Sequence, residues 1–282
     1  MNSKIDLHMH SNFSDGSDGI EELISHVKDK DICIFALTDH DTIAGCQPLA
    51  GLVPEEIQFL YGVEFSCYTE AGKCHILGYQ YDPAHPSIRA ALEEGKLRRR
   101  QKFELRLAYL QEVQGISFTQ EEIDGLRAIE SVGRPHLGRL LVKKGIAENI
   151  DKAIRTYING CKTGNDRIPA DMAIQAILAA GGIPVWAHPL GGEGEKRLTE
   201  EQFDRQLELL AEMGIRGLEC YYSRYTMEEV SFLLSHAERR GLLVSGGSDY
   251  HGKNKTVPMG RLNAEDIVIT REKLSILDAL GL

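Results

Sequence analysis

No stretch of this 282-residue chain approaches the ~20 consecutive apolar residues that a membrane-spanning helix requires, so no spanning segment is expected. Its first residues, MNSKIDLHMHSNFSDG, have neither the basic start nor the apolar middle of a signal peptide. The six cysteines (Cys33, Cys46, Cys67, Cys74, Cys161, Cys220) contain no CxxC pair, which speaks against both a zinc knuckle and a disulfide framework. Reduced thiols in a cytoplasmic protein are the expectation. Basic charge is also short: 32 Lys/Arg face 42 Asp/Glu, a net of −10, which is unsuited to a surface coated with long nucleic acid. That balance leaves an anionic substrate open, because bound cations reverse the local sign. No GxSxG or P-loop pattern occurs, and there is no internal repeat or low-complexity tract. The composition that remains, 42% hydrophobic and 26% charged, is that of a globular protein and excludes a disordered chain.

At this length the chain suits one α/β barrel-like domain, or a medium domain carrying an insertion. Before Gly95, β-like runs (Lys4 to Met9, Ile32 to Thr38, Phe59 to Tyr68, Lys73 to Tyr81) alternate with helical stretches. After Asp166 the alternation resumes with a helix near Asp171 to Ala180, the run GIPVWAHP and a helix near Glu200 to Met213. The run GLECYY, a helix near Met227 to Arg240 and GLLVSGGSD follow. Such alternation predicts a parallel sheet, either barrel or open. The middle has no convincing strand. There a long helix is expected over about Ser87 to Gln114, and a second begins at Thr119-Gln120-Glu121-Glu122. A third is opened by Pro135 and a fourth lies near Asp151 to Ile158. Charge changes with the pattern: residues 95–166 hold 14 Lys/Arg against 9 Asp/Glu, net +5, while the remainder carries −15. Residues 1–94 and 167–282 are therefore expected to form the α/β domain, and residues 95–166 an all-helical insertion.

Most of the ten histidines follow β-like runs. Asp6-Leu7-His8-Met9-His10 puts two imidazoles on one strand face, because side chains alternate with period two. Asp15 follows in a Ser-Asp-Gly turn. The second run exits into Asp39-His40-Asp41-Thr42, the third into Glu64, and the fourth carries His75. Val185-Trp186-Ala187 delivers His188-Pro189, and the last run leads through Gly246-Gly247-Ser248 to Asp249-Tyr250-His251. Any one of these alone reads equally well as a structural side chain. Together they put His8, His10, Asp15, His40, Glu64, His75, His188, Asp249 and His251 at successive strand ends, where α/β folds build their active sites. Six imidazoles and three carboxylates exceed the needs of one ion and suit two or three. Without thiolate, they favour Mn²⁺, Zn²⁺ or Fe²⁺ over Mg²⁺ or Ca²⁺. His26, His85 and His236 fall on expected helical or loop surfaces and are left out of this set.

The pieces DLHMHSNFSDG, LTDHDT, GVEFS, CHILGY, WAHP and GGSDYHG together resemble the PHP (polymerase and histidinol phosphatase) family of metal-dependent phosphoesterases. The resemblance spans nearly the whole chain outside the insertion. It implies a distorted (β/α)7 barrel with a two- or three-metal centre at its mouth and the inserted helices as a substrate cap. It implies one metal site from His8, His10, Glu64 and Asp249, and a second from Glu64, His75 and His188, with Glu64 bridging. Asp15, His40 and His251 correspond to the third. Histidinol-phosphate phosphatases of the family tend to have histidine where this chain has Asp15. That difference, with TDHDT and the insertion, is more similar to the branch of nucleoside 3′,5′-bisphosphate phosphatases and 5′-3′ exoribonucleases.

Two cations about 4 Å apart hold a bridging hydroxide and polarise a phosphate, so that attack on phosphorus proceeds in line. Asp15 and His251 are the candidates to protonate the leaving alkoxide. In the insertion, Arg134 precedes a helix-opening Pro135 and is followed by His136, an arrangement suited to phosphate. Arg134 and His136 are expected to bind a substrate phosphate, the alternative being a helix cap and a first-turn filler. The run Lys96 to Lys102 reads as a guide for an anion or as a solvated helix face. Tyr221, Tyr222 and Tyr225 read as stacking platforms for a base or as packing. The expected activity is hydrolysis of a nucleoside 3′,5′-bisphosphate or mononucleotide. Alternatives are 5′-3′ exoribonuclease action on short RNA, a non-nucleotide phosphomonoester such as histidinol phosphate, and last a non-enzymatic metal-binding module. A small nucleotide or short RNA is the expected partner, with no membrane, stable long nucleic-acid complex or protein partner.

Overall fold

Residues Lys4–Met9, all but the first of them buried, form the first strand (β1) of a computed structural model that describes residues 4–164, 167–192 and 196–282. The chain continues through α1 (Ile20–Asp29), β2 (Ile32–Leu37), α2 (Cys46–Ala50), β3 (Gln58–Thr69) and β4 (Gly72–Tyr79). Next come α3 (Pro86–Glu112), α4 (Gln120–Arg127), α5 (Arg134–Lys143) and α6 (Ile150–Ala153), which runs on as a π-helical turn over Ile154–Ile158. The last part is β5 (Ile168–Pro169), α7 (Ala170–Ala179), β6 (Ile183–Trp186), α8 (Glu200–Glu212), β7 (Gly217–Tyr222), α9 (Met227–Arg240), β8 (Leu243–Gly247) and α10 (Ile276–Ala279). Thr119, Thr199 and Thr226 open α4, α8 and α9 with reciprocal capping boxes, so these starts are written locally in the sequence. Among the described residues, no helix is long and apolar enough to cross a membrane.

The strands make one mostly parallel sheet in the order β1-β2-β3-β4-β6-β7-β8, with two-residue β5 paired to β3. The expectation of a wholly parallel sheet is corrected at β4, which is antiparallel to both β3 and β6. The cause is the turn Glu70-Ala71 between paired Thr69 and Gly72. A parallel crossover needs about a dozen residues, so this connection can only make a hairpin.

The two ends of the strand order also meet. His10 N donates to Tyr250 O and Asp249 N to His8 O, each at 2.8 Å, and the Asp6 carboxylate accepts from Ser248 N (2.8 Å) and Ser248 Oγ (2.5 Å). Gly247 permits this approach: a Cβ there would lie 2.2 Å from the His8 Cβ. The contact sets His8 and His10 beside Asp249 and His251.

Apolar packing divides along α3. Its Ile88, Ala91 and Leu92 join the main core of the sheet and α7–α9. Its Phe103, Leu107 and Leu110 join a separate core with Leu126, Val132, Leu137, Leu141 and Ile158. The boundary expected at residue 95 therefore falls inside a continuous helix, and the one expected at Asp166 lies outside the described residues. His236, expected on a surface, is instead buried between Phe203 and Phe232 (ring centroids at 4.9 and 4.4 Å). His85 caps α3, its Nδ1 accepting from Ser87 N at 3.3 Å.

Candidate metal centre

Glu64 lies at the centre of the strand-end histidines. His10 Nε2 and His40 Nδ1 stand 3.1 Å from its Oε2, and His8 Nε2 stands 3.3 Å away. The other oxygen, Oε1, has His75 Nδ1 at 2.8 Å and His188 Nε2 at 3.1 Å. Asp249 Oδ1 is 3.4 Å from His10 Nε2 and 3.6 Å from His8 Nε2. At the far end, Asp15 Oδ1 is 3.1 Å from His251 Nε2, and Asp15 Oδ2 is 3.9 Å from His40 Nε2. All nine strand-end groups thus form one continuous constellation. Within it, donor atoms lying within 4.8 Å of one another fall into three overlapping groups. These are His8/His10/Glu64/Asp249, His40/Glu64/His75 and His10/Asp15/His40/His251.

The residues fit divalent ions by a direct test. Asp15 Oδ1, His40 Nδ1 and Glu64 Oε2 are buried and accept or donate no hydrogen bond, although imidazole or carboxylate atoms stand 3.1 Å away. Orphaned buried polar atoms are costly, and all three belong to the side-chain groups whose donor atoms lie close enough together to hold an ion. His188, Asp41 and Asp249 also adopt positive φ (30°, 51° and 58°), a region L-residues seldom occupy outside constrained sites.

Partners behind the donors fix which nitrogen faces inward. His8 Nδ1 is 2.8 Å from Glu219 Oε1, a contact that fixes the ring and turns Nε2 toward Glu64. The second Glu219 oxygen accepts from His188 N at 2.7 Å. His251 Nδ1 donates to the Asp249 carbonyl at 2.8 Å, which turns Nε2 toward Asp15. Asp39 accepts from Ser14 Oγ (2.5 Å), Ser11 Oγ (2.6 Å) and Ser11 N (2.8 Å), while Ser14 Oγ stands 3.4 Å from His10 Nδ1. Tyr222 Oη and Lys255 Nζ reach Asp249 Oδ2 at 2.9 and 2.6 Å.

Charge in the pocket is tightly coupled. Burial pushes the Asp15 and Glu64 carboxyls up, but neighbouring imidazoles, His40 foremost, outweigh it and hold both well below the usual range. Asp249 is likewise held down against burial, chiefly by Lys255 and His251. Burial disfavours protonated His10, yet the Asp249 and Glu64 carboxylates raise its pKa to about 9. For His40, His75 and His251 burial wins, and the pKa falls.

Helix α3 and the loop before α5 reach this pocket. A Cβ on Gly95 would come within 2.9 Å of Asp41, and one turn later Arg99 donates from Nε to Asp41 Oδ2 at 2.5 Å and from Nη2 to Ser66 Oγ at 2.9 Å. Ser131 Oγ donates to the His40 carbonyl at 2.6 Å. His136 is buried, and its Nδ1 accepts from Gly133 N at 2.9 Å. Burial brings its pKa down to about 4 although the Asp15 charge opposes this, so it is neutral at pH 7 with the proton on Nε2. Arg134 is the first residue of α5, with Pro135 second; it is exposed and its Nη1 donates to Asn159 Oδ1 at 3.0 Å.

The run Lys96 to Lys102 divides by helical period, with Arg99 turned inward while Lys96 pairs with Glu130 and Arg98 with Glu94. Tyr221, Tyr222 and Tyr225 are all buried, which removes them as stacking platforms. Sequence reasoning missed Glu219, whose only signal was a lone carboxylate in the apolar run GLECYY. It also missed Lys255, which no spacing marked, and Asp39, which was visible only as a neighbour of His40.

A model described as the PHP domain matches residues 6–165, more than half of the chain. The chain belongs to the PHP domain family. It is 31% identical over 260 residues to a 3′,5′-nucleoside bisphosphate phosphatase of Chromobacterium violaceum, covering 88% of this chain and 87% of that protein. It is 32% identical over 277 residues to a 5′-3′ exoribonuclease of Haemophilus influenzae, covering 95% and 98%. A solved Bifidobacterium adolescentis chain assigned to the metal-dependent phosphoesterases superposes with a TM-score of 0.78 at 27% identity, covering 97% of this chain and 96% of that one. With this membership and this donor set, the PHP-domain chain is a metal-dependent phosphoester hydrolase.

Proposed function

We propose that this PHP protein hydrolyses nucleotide phosphate esters, with a nucleoside 3′,5′-bisphosphate or mononucleotide as its main substrate. The observation that carries the reading is the Glu64 carboxylate set among five imidazoles, next to Arg99 and His136 brought in by the insertion. His8, His10, Glu64 and Asp249 would hold one divalent ion, Glu64, His75 and His188 a second, and Asp15, His40 and His251 a third, with Mn²⁺, Zn²⁺ or Fe²⁺ the suited metals. Such ions supply Lewis acidity toward phosphate and water.

The chain's own residues do the rest. Glu219 orients His8, and the Asp249 carbonyl orients His251. Neutral His136 presents an N–H donor, and Arg99 a fixed positive charge, to a phosphate beside Asp15 and Asp41. Arg134, exposed at the start of α5, stays the outer candidate for that phosphate. Asp15 Oδ1 and His251 Nε2 face each other at 3.1 Å; with an ion at the third site both would serve as its ligands, and only with that site empty would a proton held between them pass to the leaving alkoxide. Closure of the sheet into a distorted seven-stranded barrel is part of the same proposal, supported by the hydrogen bonds between His8, His10, Asp249 and Tyr250. So is a capping role for residues 95–166, supported by their separate core, and a cytoplasmic setting, supported by six unpaired cysteines.

The test is phosphate release by purified protein with Mn²⁺ from adenosine 3′,5′-bisphosphate, a 5′-phosphorylated oligoribonucleotide and histidinol phosphate. The reading expects the bisphosphate to turn over fastest. Inactivity on both nucleotide substrates would defeat it.

A further inference from the structure

Arg99 brings a positive charge to the metal centre from α3, and Lys255 brings another from the loop that follows β8. That loop has a fixed path. Gly252 lies at a φ of 62°, where a Cβ would run into Ser17 Oγ and the Asp18 carboxylate. Lys253 N donates to Ser17 Oγ at 2.8 Å, and Asn254 Nδ2 to the Asp15 carbonyl at 2.7 Å. The loop is thus tied to the turn that carries Asp15, and from it Lys255 Nζ extends to Asp249 Oδ2 at 2.6 Å.

An ammonium has three N–H donors. Among the described residues the one hydrogen bond of Lys255 Nζ goes to Asp249 Oδ2, which leaves two donors over. The side chain keeps 22% of its surface, so a ligand in the pocket can reach them. Asp249 does not depend on the lysine for its orientation, because Tyr222 Oη donates to the same oxygen at 2.9 Å. The charges of Asp15 and Glu64 also reach the ammonium, which sets it among the carboxylates of all three donor groups. A compact cation with unused N–H groups in that place suits a phosphoryl oxygen.

We propose that Lys255 is a further catalytic residue, whose free N–H groups hold a non-bridging oxygen of the phosphoryl group under attack. This deepens the phosphoester-hydrolase reading above and rests on its metal centre, but not on the identity of the nucleotide. Water adds to phosphorus, the ester P–O bond breaks, and a water proton ends on the departing alkoxide. The ammonium gives up no proton. Phosphoryl transfer leaves a protein mainly positioning and electrostatic work, and one preorganised donor is worth about 10²-fold in rate. Contact with the reacting group rather than the nucleoside puts that effect in kcat more than in KM.

The test compares Lys255→Met, Lys255→Arg and Tyr222→Phe with the parent chain at saturating Mn²⁺, with metal content followed by elemental analysis. On adenosine 3′,5′-bisphosphate, Lys255→Met should lower kcat about 100-fold, with KM within about threefold and metal content normal. Calorimetric binding of orthovanadate, a mimic of five-coordinate phosphorus, should weaken about tenfold or more in the same variant. This second readout holds whichever phosphoester the chain hydrolyses. Lys255→Arg keeps the charge and should retain most of the vanadate affinity. Tyr222→Phe loosens the same Asp249 oxygen and should bind vanadate like the parent. Parental kcat and vanadate affinity in Lys255→Met would overturn the proposal. Equal losses in Lys255→Met and Tyr222→Phe would also overturn it, by making the lysine a support for Asp249. Tighter Mn²⁺ binding with kcat unchanged would do the same, by making it a stand-in for a cation. Vanadate bound through Lys255 with no need for Mn²⁺ would sink the metal-centre reading and leave the lysine contact standing.

Discussion

On the sheet, His8 and His251 leave their strand ends with one ring nitrogen already tied, to Glu219 and to the Asp249 carbonyl, so the other is aimed before any ligand arrives. Helices α3 and α5 work differently. His136 belongs to α5, packed in the separate core, and Arg99 to α3, which spans both cores; they meet the pocket through Gly95, Ser131 and Asp41. The sheet supplies acidic and imidazole donors at fixed positions, and the helices supply a cation and an N–H donor. Metal binding should therefore depend on the first region and substrate affinity on the second. A substitution that moves both would break the comparison.

The largest effect is expected at Glu64. Glu64→Ala removes the carboxylate touched by five imidazoles and should lower activity by roughly 10³-fold or more, with metal lost in elemental analysis. Full metal occupancy in that variant would contradict its bridging position. Glu219→Gln keeps the shape but weakens the partner of His8, and metal affinity should fall about 10- to 100-fold in a folded protein. An unchanged metal titration would show Glu219 to be packing only.

On the helical side, His136→Ala should raise KM about tenfold while metal content stays normal. Parallel loss of metal would join the two regions into one functional unit. The same residue gives a pH test. Its pKa falls from the ordinary 6.5 to about 4, so below pH 6.5 the unfolded chain binds a proton that the folded chain refuses. Its neutral burial thus costs stability progressively as pH drops from 6.5 to about 4, at most about 3 kcal/mol. Denaturant titrations of His136→Gln should show a shallower decline over that window than the parent chain. The smallest effect is expected at Arg134→Ala, within about threefold in kcat/KM, because Arg134 is exposed and engaged with Asn159. A tenfold rise in KM would move Arg134 into the phosphate site beside His136.

How much of this was legible follows from where the signals lie. Strand-end donors are readable because an apolar run followed by His, Asp or Glu is a local pattern, and the family motifs join those patterns. Glu219 sits in mid-strand, where one acid among apolar residues carries no spacing. Arg99 was hidden in a run of like charges. The helical spacing from Gly95 to Arg99 singles it out only once Asp41 is known to lie against that face. The antiparallel β4 was implicit in the two-residue turn at Glu70-Ala71, but a rule of strand–helix alternation outweighed it. The tyrosines after GLECYY were ambiguous because rim and core aromatics share the same periodicity, and only burial separates them.

The most direct test of the central claim is anomalous diffraction from crystals of the chain grown with Mn²⁺. The account predicts two or three strong peaks inside the pocket, at least two of them flanking the Glu64 carboxylate. An empty pocket, or peaks bound only elsewhere on the molecule, would contradict it.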